Sequence, residues 1–218
     1  MNDFDVTVIR QNWQFLAEGL ALSALLVAVS VLGGVVLGAL LALSRLSRLP
    51  LLPALVAGYV TVMRTLPLVL VLFWFYFLGP FLLGHPIGSL TAALIAFVLF
   101  EAAFYCEIIR AGIQSVRPGQ AQAALATGMT HAQAMRLVVL PTALRAMVPL
   151  LLNQVIIVFQ DTSLVYVVTL RDFMTAASII ASRDSRPIEM YSLVALVYLA
   201  ICFTASRLVA ALWKPAPR

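Results

Sequence analysis

Charge is what this chain has least of. Asp, Glu, Lys and Arg make up 11% of its 218 residues, against 63% hydrophobic residues. So little polar surface cannot clothe a water-soluble domain of this length, which leaves an integral membrane protein. Cysteine is nearly absent as well. Cys106 and Cys202 each lie inside an apolar run; they offer neither a disulfide framework nor a metal site, and read as small buried hydrophobes. The net charge is +5, but the basic residues are dispersed at the edges of oily runs, as topology signals are, so nucleic acid is not the expected partner. A phosphate-binding G-x4-G-K-[ST] loop is missing, so the chain does not hydrolyse ATP itself. A signal peptide is not expected: residues 1–15 carry Asp3, Asp5 and Arg10 before Trp13, where a signal would place positive charge and then a short apolar core.

What the chain does have is a succession of apolar runs. Leu16 to Leu43 exceeds the roughly 20 residues needed to cross a bilayer. Arg45 and Arg48 follow it, and acid before with base after predicts an external N-terminus and an internal Arg45 loop. Within this run Gly34 and Gly38 have the small-x3-small spacing of close helix packing. The run from Leu51 to Leu83 is too long for one straight span. Arg64-Thr65-Leu66-Pro67 interrupts it, and a kink or break is expected where proline removes a backbone donor. Arg64 either snorkels to the inner interface or faces a polar cavity between helices. Gly79-Pro80 through His85-Pro86 reads as an external turn.

A third span, Ile87 to Ile109, encloses Glu101, an intramembrane carboxylate that must be paired, protonated or next to water. Glu107 and Arg110, three residues apart near its inner end, form a structural ion pair on one helix face. A fourth span, Ala146 to Leu170, is oily at first. Asn153, Gln154 and then Gln160-Asp161-Thr162-Ser163 break the pattern. Such residues do not face lipid; they line a solute path or form a polar seam between helices. Residues 171–188 read as a mixed-charge external loop, with Phe173 to Ala181 as a short helix lying on the membrane. A fifth span, Glu189 to Leu212, ends at an inner anchor of Trp213 and Lys214. Arg45, Arg48, Arg110, Arg117, Arg136, Arg145, Arg207, Lys214 and Arg218 then fall inside, an excess that supports an internal C-terminus. The expected division is an external segment 1–15, a transmembrane domain 16–213 and a cytoplasmic tail 214–218.

The least oily stretch runs from Glu101 to Pro141. At its centre stand Gln122-Ala123-Ala124, then Gly128, then, nine residues on, Val138-Val139-Leu140-Pro141. This reads as a short alanine-rich helix starting near Pro118 and ended by Gly128, followed by a second helix whose start carries Leu140-Pro141. An alanine-coated helix is slim enough to sit deep in another protein's groove. The stretch resembles the cytoplasmic coupling loop of ABC-importer membrane subunits: Glu-Ala-Ala, three residues, Gly, nine residues, Ile-x-Leu-Pro. Gln122 stands where that family has glutamate. Glu101-Ala102-Ala103-Phe104-Tyr105, Glu107 through Gly112, Met63 through Pro67 and Gln160 through Leu164 also resemble the polar amino-acid branch, in the family's order.

The resemblance implies an all-α integral membrane protein: five transmembrane helices with a cytoplasmic coupling helix, a fold like that of ABC type-1 importer permeases. It implies a bacterial inner-membrane location. Gln122, Ala123, Ala124, Gly128, Leu140 and Pro141 would couple to ATPase subunits through residues 118–131. The path would be lined by Arg64, Asn153, Gln154, Gln160, Asp161, Thr162 and Ser163. The implied partners are those ATPase subunits, a second permease (the same chain or a paralogue), an external solute-binding protein and an amino-acid substrate. No cofactor is expected in the chain, ATP being bound by the partner. Relatives often carry Lys at Gln160, and Gln-Asp-Thr-Ser-Leu-Val-Tyr looks like the glutamate/aspartate type. An anionic substrate would meet Arg64 and the hydroxyls of Thr162 and Ser163, with Asp161 at its ammonium group. Two other classes compete. A secondary amino-acid transporter would show internal repeats and more spans. A membrane anchor subunit needs neither a polar path nor an Ala-Ala-x3-Gly loop.

Overall fold

A computed structural model describes residues 4–47 and 49–213. Asp3, Arg48, Lys214, Arg218 and the expected tail 214–218 lie outside these residues. Among the described residues every regular element is a helix: α1 (Thr7–Gln11), α2 (Trp13–Arg45), α3 (Leu52–Thr65), α4 (Leu68–Leu83), α5 (Ser89–Gln114), α6 (Pro118–Ala126), α7 (His131–Val168), α8 (Phe173–Arg183) and α9 (Pro187–Leu212). Helices α2, α5, α7 and α9 are each long and apolar enough to cross a membrane. The pair α3 and α4, bent by 108°, makes a fifth, broken span.

The scaffold is the pair α2 and α5. On α2 the buried residues include Gly19, Ser23, Leu26, Ser30, Gly34, Gly38 and Ala42, a face of mostly small side chains at three- and four-residue spacing. Small residues let backbones approach, and Gly38 shows how closely. A Cβ there would lie 2.7 Å from Tyr105 Cβ and 2.9 Å from the Ala102 carbonyl oxygen. The small-x3-small spacing is thus a contact with α5.

The chain breaks where Leu66 meets Pro67. Both are extended, with ψ of 142° and 137°, as the steric demand of proline on its predecessor requires. Beyond the break Leu68, Val71 and Leu72 of α4 join Phe97 and Phe100 of α5 and Val165 and Val168 of α7 in the largest core cluster.

Two prolines expected to punctuate helices do not. Leu140-Pro141, expected at a helix start, lies well inside α7, which begins at His131. There Thr130 and Gln133 exchange hydrogen bonds in a capping box. Gly79-Pro80, expected in a turn, lies inside α4, and only Gly84, at φ 71°, ends that helix. The physical reason is the same twice. A five-residue π turn, Met135–Val139 or Trp74–Leu78, stands immediately before each pair. The wider turn accommodates the missing N–H and the ring, so the helix continues through the proline.

Helix α8 does not lie on a membrane surface. Phe173, Ala176, Ala177, Ile180 and Ala181 are buried against Val8, Leu16, Met190 and Val194. Asp172 caps it: its carboxylate oxygens accept from the N–H groups of Met174 and Thr175, each at 3.1 Å. The Phe173 N–H donates to Ser23 Oγ of α2 at 3.2 Å. Burial pushes the Asp172 carboxyl up, against those hydrogen bonds, which pull it down. At the exposed end of α8 the Arg183 guanidinium holds Asp184 below the usual carboxylate range.

Candidate functional site

Helix α6 is short, begins with Pro118 and is closed by a Schellman motif. Gly128 takes φ 88°. Its N–H donates to the Leu125 carbonyl, and that of Met129 to Ala124, at 3.0 and 3.3 Å. That pattern needs a left-handed residue at Gly128, which glycine adopts freely. Gln122 and Ala123 are exposed, whereas Ala124 is only 6% exposed. Ala124 is therefore the alanine turned onto its own chain, while Ala123 and Ala124 together border a groove shared with Val138 and Thr142 of α7. Leu140 and Pro141 are exposed, just past the π turn.

At the same end of the bundle Glu107 and Arg110 pair, as their spacing predicted. A partner unforeseen in the sequence joins them: Arg45, from the last turn of α2, donates to Glu107 Oε2 at 2.6 Å. Arg110 also reaches Gln114. One carboxylate thus ties the ends of α2 and α5 together.

Arg64 stands twelve residues beyond Leu52, about 18 Å along α3 at 1.5 Å per residue. Its guanidinium lies 5.6 Å from the centre of the Phe104 ring, three residues past Glu101 on α5. The side chain is exposed, inside the span and beside the α3–α4 break.

The polar residues of α7 point several ways. Asn153 is exposed. Gln154, 7% exposed, donates from Nε2 to Glu101 Oε2 at 2.9 Å, and Glu101 is fully enclosed. Gln160 turns to α9, with Nε2 3.8 Å from Cys202 Sγ. Thr162 is fully buried and donates to the Phe159 carbonyl at 2.8 Å. Ser163 donates to the Gln160 carbonyl at 2.8 Å. Gln160 and Ser163 border a groove of about 580 Å³ walled by Tyr166, Tyr191 and Tyr198. Asp161 is half-buried. At Thr162 the helix tightens to a 3-10 turn that ends at Val168, and α4 packs on that turn. The α3–α4 break and the 3-10 turn of α7 are thus brought together through α4, with Arg64 just before the one and Asp161 just before the other. Sequence reasoning found Glu101 and Gln154 separately. The signal that joins them is that each, alone in an apolar span, needs a partner.

Residues 34–214 match the family of binding-protein-dependent transport system inner membrane components. The chain belongs to that family, the permeases of ABC importers. It is 46% identical over 216 residues to the glutamate/aspartate import permease protein GltK of Escherichia coli O6:H1, covering 96% of each chain. It is 33% identical to the probable glutamine ABC transporter permease protein GlnM of Bacillus subtilis, covering 93% of each. The crystal structure of an amino acid ABC transporter with histidines superposes with a TM-score of 0.91 at 32% identity, over 99% of this chain and 100% of that one. The protein is an amino-acid ABC permease with the type-1 importer fold.

Proposed function

We propose that this permease carries an acidic amino acid, glutamate or aspartate, inward across the bacterial inner membrane. The observation that carries the reading is Arg64, an exposed cation well inside a span and beside a helix break. A carboxylate-bearing substrate offers such a cation a charge-assisted bond. The higher identity to a glutamate/aspartate permease than to a glutamine permease supports the same substrate class. In this reading Asp161 faces the substrate ammonium, and Asn153, Gln160 and Ser163 belong to the walls of the path, while the buried Thr162 hydroxyl is committed to the Phe159 carbonyl. The end bearing α6 is cytoplasmic and the end bearing α8 external, so the N-terminus lies outside and the C-terminus inside. Helix α6 docks, through Gln122 and Ala123, into an ATPase subunit that binds and hydrolyses ATP. A second permease completes the path, and an external solute-binding protein delivers the amino acid.

Uptake assays on assembled variants test the substrate contacts. Removing one partner of an enclosed charge-assisted contact costs about 2–5 kcal/mol, well over tenfold in affinity. Arg64→Gln and Asp161→Asn should each depress glutamate uptake more than tenfold, while the complex with the ATPase still purifies intact. Near-normal uptake by both assembled variants would remove these residues from the path.

A further inference from the structure

Helix α7 is one continuous helix from the Thr130 cap to Asp161, with the Met135–Val139 π turn, Pro141 and Pro149 inside it, and it tightens to a 3-10 turn beyond. Residues 131–161 make a rod about 45 Å long at 1.5 Å per residue. A displacement of its His131 end, next to α6, is carried along the rod to the polar run. The α2–α5 scaffold cannot follow easily, because Gly38 lies against the α5 backbone and Gly34 against the Glu101 and Tyr105 side chains. What joins rod to scaffold therefore matters. Near α6 the join is steric: Gly112 on α5 lies against Met147 on α7, where an added Cβ would be 2.8 Å from Met147 Cβ. Among the described residues, a single side-chain hydrogen bond crosses from α7 to α5. It is Gln154 Nε2 to Glu101 Oε2.

That bond is enclosed, and it leaves the carboxyl half-served. Among the described residues Glu101 Oε1 has no partner, and neither have Ser30 Oγ of α2 and Tyr105 Oη of α5; all three atoms are buried. Tyr105 is one helical turn from Glu101, on the same face of α5. Gly34 fits between them: a Cβ there would be 3.0 Å from both Glu101 Cβ and Tyr105 Cδ2. Ser30 lies one turn from Gly34 on the buried face of α2. The carboxyl thus has one partner on the rod, and two hydroxyls without partners on the scaffold around it. A buried polar group whose bond is broken with no replacement is costly, and one with a replacement nearby is not.

We propose that Glu101 and Gln154 are a latch between scaffold and rod, and that Gln154 is a positioning residue for the change of access. The bond holds α7 in one register. When the rod moves, Gln154 withdraws and the carboxyl turns to the hydroxyls of Ser30 and Tyr105. This two-position element converts movement at α6 into a discrete change at Asp161, and the proposal rests on the docking of α6 given above.

The test uses the whole complex, permease with ATPase subunits in nanodiscs, and measures how far liganded solute-binding protein stimulates ATP hydrolysis. Gln154→Met and Glu101→Leu break the latch and should each reduce the stimulation ratio more than fivefold. The double variant should be no worse than either single one. Glu101→Gln keeps an oxygen that accepts from Gln154 and should stay within twofold of the natural protein. The exchanged pair Glu101→Gln with Gln154→Glu restores the bond in reverse and should recover stimulation, even if Gln154→Met fails to assemble. Normal stimulation in Gln154→Met overturns the latch. So does Glu101→Gln behaving like Glu101→Leu, or an exchanged pair that fails to assemble or to respond. A natural complex that shows no stimulation at all would sink the docking reading, and the latch with it.

Discussion

At Gly38 a single methyl group would meet a backbone carbonyl and the Cβ of Tyr105 at less than contact distance. Neither neighbour can swing away, so Gly38→Ala must part α2 from α5, at an overpacking cost of about 1–3 kcal/mol. Gly58 is the contrast. Nothing lies within 4 Å of a Cβ added there, and Gly58→Ala should gain up to about 1 kcal/mol in helix propensity. Thermal melting of the two purified variants in detergent should move in opposite directions. Asp172 makes a second test. Asp172→Ala leaves the first N–H groups of α8 without their acceptor and should cost about 0.5–2 kcal/mol, whereas Asp172→Asn keeps a cap. The pH dependence has a definite sign. Burial raises the Asp172 carboxyl above its unfolded value, so the folded state holds its proton more tightly. This group's contribution to stability therefore rises as pH falls toward the ordinary Asp range and is lost as pH climbs. Melting curves of Asp172→Asn should lack that component. At this scale the sequence was least informative. Glu107 with Arg110 was legible because three residues separate them. Arg45 with Glu107 and Gln154 with Glu101 were not, because they stand 62 and 53 positions apart in the chain.

Among the elements, α6 and α7 decide how the protein is used. The short alanine-rich helix and its glycine stop were readable, since Pro118 and Gly128 are punctuation that local geometry demands. Which alanine faces out was not, because that depends on how α6 seats on α7. Two substitutions separate the faces. Ala123→Trp, on the exposed side, should leave the melting temperature unchanged and abolish stimulated ATP hydrolysis by the assembled complex. Ala124→Trp, on the seated side, should lower the melting temperature, with an overpacking cost of about 1–3 kcal/mol. The reverse pattern would mean that α6 presents its other face. The length of α7 was hidden by Leu140-Pro141, which reads as a start signal. The π turn before it removes the conflict, and no residue pattern announced that turn. Helix α8 is legible nearly to its ends as Phe173 to Ala181, but that its Phe173, Ala176, Ala177 and Ile180 turn into the bundle and not to a membrane surface is not. The same amphipathic stripe serves either purpose, and packing against α2 and α9 chose between them.

For the whole molecule, hydropathy sufficed to find every span, including the broken one, because a bilayer demands length and apolarity from each. The order of motifs along the chain pointed to the family before any geometry was available. What a single chain cannot enclose is also visible. In the most apolar stretch of α9 only 6% of residues are buried, which leaves that helix to lipid or to another chain. The central claim is that this permease moves an acidic amino acid at the expense of ATP hydrolysed by a partner. Its most direct test is uptake into proteoliposomes holding the permease with its ATPase subunits, with solute-binding protein outside and ATP within. Radiolabelled glutamate or aspartate should accumulate only when ATP is present, and excess unlabelled glutamine or arginine should not compete. Accumulation of glutamine or arginine in place of glutamate, or uptake that persists without ATP, would contradict the account.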